Sequence, residues 1–248
     1  MQRKWLLIQA RRCMYCGLIY RWPTDASGET RAFYERGYEG QQATDIPDPE
    51  ALKMLVSAGF RGTQYNKSDR IAFLTRRGIK SGKLLDFGCA WGYSTHQYRE
   101  AGYVASGFEI DRRRADYGRT RMGMTIYSGW GALESGERFD IVIADHSLEH
   151  VPRIGETLTE IARHLLPGGR LVLFVPNGAC LDARRKGVGW GPYLGESHTM
   201  AFTMEWFSRN LPRHGMKPTF FDLAGAPLRE GDYLADQSEI ALVAAFSE

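Results

Sequence analysis

The 248-residue chain reads as an α/β protein: a seven-stranded, mostly parallel sheet with an antiparallel last strand and helices on both faces, behind an N-terminal extension. Three observations predict this. Leu84 and Leu85 lead into a turn with Gly88, Ala90 and Gly92 at alternate positions, and a helix-like run follows through Tyr98. Apolar strand-like runs then alternate with amphipathic stretches along the rest of the chain, the pattern of crossover units in a parallel sheet. Glu109 closes the second of these apolar runs about 20 residues after the turn, where an acidic group meets the ribose of a nucleotide-like ligand.

With 43% apolar residues the chain can bury a full core, and its length suits one α/β domain with an extension. No apolar run approaches the roughly 20 residues of a membrane span, and the apolar stretch near the start is too short for a signal-peptide core, so a cytoplasmic location is expected. The net charge of +3, from 32 basic against 29 acidic residues, argues against a nucleic-acid partner. Basic runs such as Arg112-Arg113-Arg114 read as solvated faces.

Four cysteines, at 13, 16, 89 and 180, are too scattered for a disulfide scaffold. Cys13-Met14-Tyr15-Cys16-Gly17 has the spacing of half a zinc ribbon. A closed structural site needs four ligands and no second pair follows, so no metal is expected there.

Taken in order, residues 1–65 form the extension. It carries a possible strand over 5–8, the Cys turn, and Phe33, Tyr34 and Tyr38 at the spacing of one helix face, packed on the main domain or serving as a lid over substrate. Two prolines among acidic residues at 45–50 mark a loop. Leu52, Leu55 and Val56 make one short helical stripe, and Ile71, Phe73 and Leu74 belong to a second helix ending at Gly78. The main domain, 66–248, then runs strand, turn, helix (94–101), strand (104–108), helix (112–121), short strand (124–127) and buried strand (139–144). An amphipathic helix over 153–166, a Leu166-Pro167-Gly168-Gly169 turn and a strand over 170–175 follow. Residues 177–198 read as a long irregular loop, a length that is usually functional. Thr203 caps a last helix, and strands over 219–223 and 240–246 complete the sheet.

The turn departs from the G-x-G-x-x-G of nicotinamide-binding folds, where Gly would stand in place of Tyr93. Asp86-Phe87-Gly88-Cys89-Ala90-Trp91-Gly92 instead resembles motif I of class I S-adenosylmethionine (SAM) methyltransferases, usually D-x-G-C-G-x-G, with Ala90 for the middle Gly. An alanine costs little there unless its φ is positive. Two further strings carry the same resemblance: Asp145-His146-Ser147-Leu148-Glu149-His150-Val151, and Leu-x-Pro-Gly-Gly-x-Leu from Leu165. The Rossmann-like class I fold is implied, with SAM as cofactor. Asp86, Gly88, Cys89, Ala90, Gly92 and Asp145 then line its site, Glu109 takes the ribose hydroxyls, and Ile110, Gly129 and Trp130 lie against adenine. For Trp130, simple packing is an equal alternative, and Glu109 could instead serve the helix opening at Asp111. Tyr65 and Arg70 stand where related enzymes hold the SAM carboxylate. The leader C-x-x-C-G-L-x-Y followed by F-Y-x-x-x-Y resembles a methyltransferase group associated with sugar and polysaccharide modification, which implies a small-molecule or glycan acceptor.

Methyl transfer to a hydroxyl needs a group that removes its proton, and His146, His150 and His198 are the candidates. On a helical turn His146, Glu149 and His150 would share one face. The same H-x-x-E-H string matches an inverted zincin motif, but it follows a strand tip in a chain with SAM-type motifs. A metal-assisted transfer, as in ubiquinone-pathway enzymes with E-x-x-E-H here, is a rival, and so are RNA as acceptor and SAM binding without turnover. The balance of these readings expects no metal.

Overall fold

A computed structural model describes residues 2–4, 8–22, 45–133, 136–191, 198, 200–222, 224–228 and 236–246. In chain order its elements are β1 (Gln2–Lys4), β2 (Ile8–Arg12), β3 (Ile19–Trp22), α1 (Pro49–Ser57), α2 (Ser68–Arg76), β4 (Lys83–Phe87), α3 (Tyr93–Glu100), β5 (Val104–Phe108) and α4 (Arg112–Met122). Then come β6 (Ile126–Tyr127), β7 (Phe139–Asp145), α5 (Ile154–His164), β8 (Leu165–Pro176), α6 (Leu181–Lys186), β9 (Met200–Ala201), α7 (Met204–Asn210), β10 (Met216–Phe221) and β11 (Glu239–Phe246).

The expected seven-stranded sheet is present, in the order β10-β11-β8-β7-β4-β5-β6. β4, β5 and β6 pair in parallel, and β11 runs antiparallel to both β8 and β10. That order is the one expected of an open sheet whose first strand starts near the middle, so ligand-bearing loops gather at the carboxyl ends of β4 and its neighbours. No helix among the described residues is long and apolar enough to cross a membrane.

The chain divides into two compact units, residues 31–143 and residues 1–30 with 144–248. In the first, Asp48 opens α1 by accepting hydrogen bonds from the Glu50 and Ala51 amides at 2.9 and 2.8 Å, ahead of Pro49 at the first helical position. Asp111 caps α4 in the same manner, accepting from the amides of Arg113 and Arg114. Two glycines let the layers close. A Cβ at Gly107 would run into the sulfur of Cys89, and one at Gly118 would lie 2.9 Å from the Trp91 carbonyl.

In the second unit, β1, β2, β3 and β9 form a small antiparallel sheet. β9 has no counterpart in the sequence reading, because two residues, Met200 and Ala201, are too few to show a period; it is paired only because β3 presents an edge. Cys13 and Cys16 sit in the turn between β2 and β3, closed by hydrogen bonds from the Gly17 amide to the Cys13 carbonyl (2.9 Å) and from the Cys13 amide to the Leu18 carbonyl (2.7 Å).

Three expectations change. The Leu166-Pro167-Gly168-Gly169 stretch is not a turn before the strand: β8 already starts at Leu165, and a φ of +78° at Gly168 absorbs the bend. Residues 177–198 are not irregular throughout. Cys180 caps α6, Lys186 pairs with Asp182 one turn back at 2.7 Å, and Ala183 and Trp190 are buried with Ile19 and Ala201. The strand expected over 219–223 begins at Met216 instead, because the whole of β10 pairs with β11. The aromatic residues Phe33, Tyr34 and Tyr38, Tyr193 of the loop and residues 5–7 lie outside the described residues.

Candidate functional site

The turn after β4 is built on left-handed backbone at Gly88 (φ +81°), Ala90 (φ +50°) and Gly92 (φ +86°), the last of which starts α3. Glycine adopts these angles freely; alanine does so at a cost of roughly 1–2 kcal/mol. The condition under which Ala90 is not innocuous is therefore met. What holds it is a pair of contacts on either side. The Ala90 amide donates to Glu109 Oε2 at 3.0 Å, and its methyl is buried with Phe60, Trp91 and Tyr93. The Gly88 and Cys89 amides both donate to the Phe108 carbonyl, at 2.8 and 3.2 Å, so the turn is anchored to the end of β5 at three points.

Asp86, at the end of β4, is buried and accepts hydrogen bonds from the Ser94 and Thr95 hydroxyls at 2.5 and 2.8 Å, which locks the first turn of α3 to the strand. Glu109 is buried too. Its other oxygen accepts from the Asp111 amide at 2.8 Å, and burial raises its pKa against the opposing pull of that bond and of Arg114. Asp111, not Glu109, is the helix cap. Trp130 stacks on Phe87 (ring centroids 5.8 Å apart) and meets Phe108 at a tilt (4.5 Å). Ile110 is half exposed beside the strand tip, and Gly129 has open space where a Cβ would stand.

Sequence reasoning passed over the layer that supports this turn. Trp91 is fully buried, with its ring centroid 5.3 Å from that of Tyr65, 5.0 Å from Tyr93 and 6.3 Å from Phe60. Gln97 of α3 fixes the segment before α2: its amide nitrogen donates to the Tyr65 and Tyr93 carbonyls, both at 2.9 Å, and its oxygen accepts from the Lys67 amide at 2.8 Å. The three aromatic residues clustered at Trp91, Tyr93 and Tyr98 in a motif region were the available signal.

The second cluster lies in the other unit. His146 has a φ of +52°, so the chain after β7 does not continue as a helix; the following turn, Leu148–His150, is a single 3-10 turn. The shared face expected for His146, Glu149 and His150 is thereby divided. His146 Nδ1 stands 3.5 Å from Glu149 Oε1 and its Nε2 2.7 Å from Glu239 Oε2. His150 meets His198 instead, with ring centroids 4.5 Å apart and an edge-on angle of 63°. Burial works against a charged His146, but hydrogen bonds to Glu149 and Glu239 and the charge of Asp145 outweigh it and push its pKa up to about 10. Glu149, almost wholly buried, is nevertheless held below its ordinary value by His146 and His150. Glu239 carried no signal in the sequence, because it stands 93 positions from its partner.

The family model for a methyltransferase domain matches residues 60–215. The chain belongs to that family. Among curated proteins, the methyltransferase GfsG of Streptomyces halstedii is 27% identical over 140 residues, covering 51% of this chain and 47% of its own length, so the match spans about half of that relative. Among solved structures, a SAM-dependent methyltransferase of Clostridium acetobutylicum superposes with a TM-score of 0.55 at 10% identity over 80% of this chain and 98% of its own. The glycopeptide N-methyltransferase MtfA bound to sinefungin gives 0.54 at 18% identity over 82% and 99%. These likenesses establish the class I fold. The matched part of the methyltransferase domain holds the turn, Glu109 and all three candidate histidines, and leaves the Cys turn outside it.

Proposed function

We propose that the protein transfers a methyl group from SAM to an oxygen of a sugar, glycan or related small hydroxylated metabolite. One observation supports the SAM half of this reading above the rest: the Glu109 carboxylate, at the tip of β5, is tied to the Ala90 amide of the turn, so an acidic hydrogen-bond acceptor and a Gly-rich backbone occupy neighbouring places. These residues fit SAM. Gly88, exposed on left-handed backbone, allows close backbone approach, with Cys89, Ala90 and Gly92 buried behind it; Asp86 fixes the turn, Glu109 receives the two ribose hydroxyls, and Ile110, Gly129 and Trp130 bound the adenine. SAM supplies an electrophilic methyl carbon on a sulfonium. The chain's part is to orient the acceptor and take up its proton, a task left to His150 and His198: His146, expected from sequence as a third candidate, faces Glu149 and Glu239 with both ring nitrogens and, with its pKa pushed up to about 10, already carries a proton at neutral pH. The Cys13-x-x-Cys16-Gly17 leader supports a glycan acceptor.

Calorimetry tests the cofactor: SAM and S-adenosylhomocysteine bind, NAD does not, and Glu109→Ala weakens SAM more than tenfold, as expected for a contact of about 1.5–3 kcal/mol. Unchanged affinity in that variant removes Glu109 from the site. Labelled SAM with nucleotide sugars, glycans, phenols and RNA then identifies the acceptor; transfer to RNA alone would overturn the glycan reading.

A further inference from the structure

The residue that changes the metal expectation is His198, which the fold brings to a pair that is adjacent in sequence. One ligating atom each from Glu149, His150 and His198 lies within 4.8 Å of the other two. In a tetrahedral site with bonds of about 2.0–2.2 Å, such atoms stand roughly 3.4 Å apart, so the set needs only small side-chain rotations to converge on one ion. We propose that Glu149, His150 and His198 form a binding site for a zinc-class divalent cation.

Three features argue for it. Two imidazoles and one carboxylate are the donor set of open zinc sites, in which a fourth position stays available to an oxygen ligand. The same nitrogens disfavour magnesium and calcium, which take oxygen ligands. The carboxylate is also held from behind: His146 bridges Glu149 and Glu239, at 3.5 and 2.7 Å, and gives the outer support that orients a metal-binding carboxylate. The neighbouring group of Asp145, His146 and Glu239 is the weaker candidate, since both ring nitrogens of His146 already face carboxylates. Among the described residues, the groups of three or more possible ligands include neither Cys13 nor Cys16.

Binding of the cation does not depend on the function proposed above; only its use, to polarise an acceptor hydroxyl, rests on that reading. The test therefore uses neither SAM nor acceptor. Protein stripped with a chelator is titrated with Zn²⁺ by calorimetry and with Co²⁺ by visible absorption, with Mg²⁺ as the control. The expected result is one Zn²⁺ or Co²⁺ per chain and no saturable Mg²⁺ binding, with affinity falling at least tenfold in His198→Ala and recovering partly in His198→Asp, whose cobalt spectrum changes. His214→Ala, outside the cluster, leaves binding alone. Thermal melts confirm that each variant is folded, and His198 is the deciding position because it is partly exposed, whereas loss of buried Glu149 disturbs its surroundings. Absence of saturable Zn²⁺ binding overturns the proposal. So does one Zn²⁺ per chain that survives His198→Ala and disappears in Cys13→Ser.

Discussion

The backbone amide of Ala90 points at a carboxylate oxygen of Glu109, 3.0 Å away, and this bond fastens a left-handed alanine to the tip of β5. A side chain that branches at Cβ tolerates that backbone far less well than alanine does. Ala90→Gly is expected to fold with stability within about 1 kcal/mol of the parent, since relief of strain offsets a more flexible unfolded chain. Ala90→Val is expected to lose more than about 2 kcal/mol, combining strain with overpacking against Phe60 and Trp91. Urea unfolding of the three proteins decides the matter, and equal midpoints would mean that the turn readily adopts another backbone.

Gln97 makes three hydrogen bonds to main-chain groups around the turn, two from its nitrogen and one to its oxygen. Gln97→Leu keeps much of the volume and leaves the Lys67 amide and the Tyr65 carbonyl without this partner. A loss of about 2 kcal/mol is expected. Hydrogen exchange should locate the loosening at residues 65–67; protection unchanged there would show that the segment is held by its aromatic contacts alone.

His146 sets a pH dependence in the chelator-treated protein. Its pKa rises on folding from the ordinary 6.5 to about 10, so the stabilisation it brings is complete below about pH 6.5 and disappears as pH climbs through 10. Glu149 acts at the other end: held below its ordinary value, it stabilises above about pH 4.5, and that contribution fades as acid protonates it. Glu239→Gln removes one of the two carboxylates on His146 and is expected to flatten the alkaline decline while lowering stability at pH 7. Parallel decline of parent and variant between pH 7 and 10 would sink the assignment.

Cys13 is expected to be alkylated first among the four thiols. Backbone hydrogen bonds at Cys16 and Tyr15, and then the Cys16 side chain, draw its pKa down, whereas burial pushes Cys16 up and Cys89 well above the ordinary value. Cys180 is shielded by burial. Timed treatment with iodoacetamide near pH 8, followed by peptide mass spectrometry, gives the order; Cys89 reacting alongside Cys13 would contradict the packing of Cys89 against Gly107.

Much of this protein is decided by neighbours in sequence. The apolar run into Gly88, the caps at Asp48, Asp111 and Thr203, and the acidic residue closing β5 are local patterns, because a turn or a helix start depends on a few adjacent residues and their backbone preferences. The hand of each parallel crossover is set almost as directly, but the order in which the strands line up belongs to the tertiary structure. What only the tertiary structure decided is which distant side chains meet. Glu239 reaches His146 across 93 positions, His198 reaches His150, and β9 reaches β3, none of which leaves a period or a spacing in the chain. The φ of Ala90 belongs with these, for the residue type argues against it. That backbone is held in place by a carboxylate from the tip of the next strand and by an apolar layer of Phe60, Trp91 and Tyr93, contacts that exist only once the chain has closed on itself.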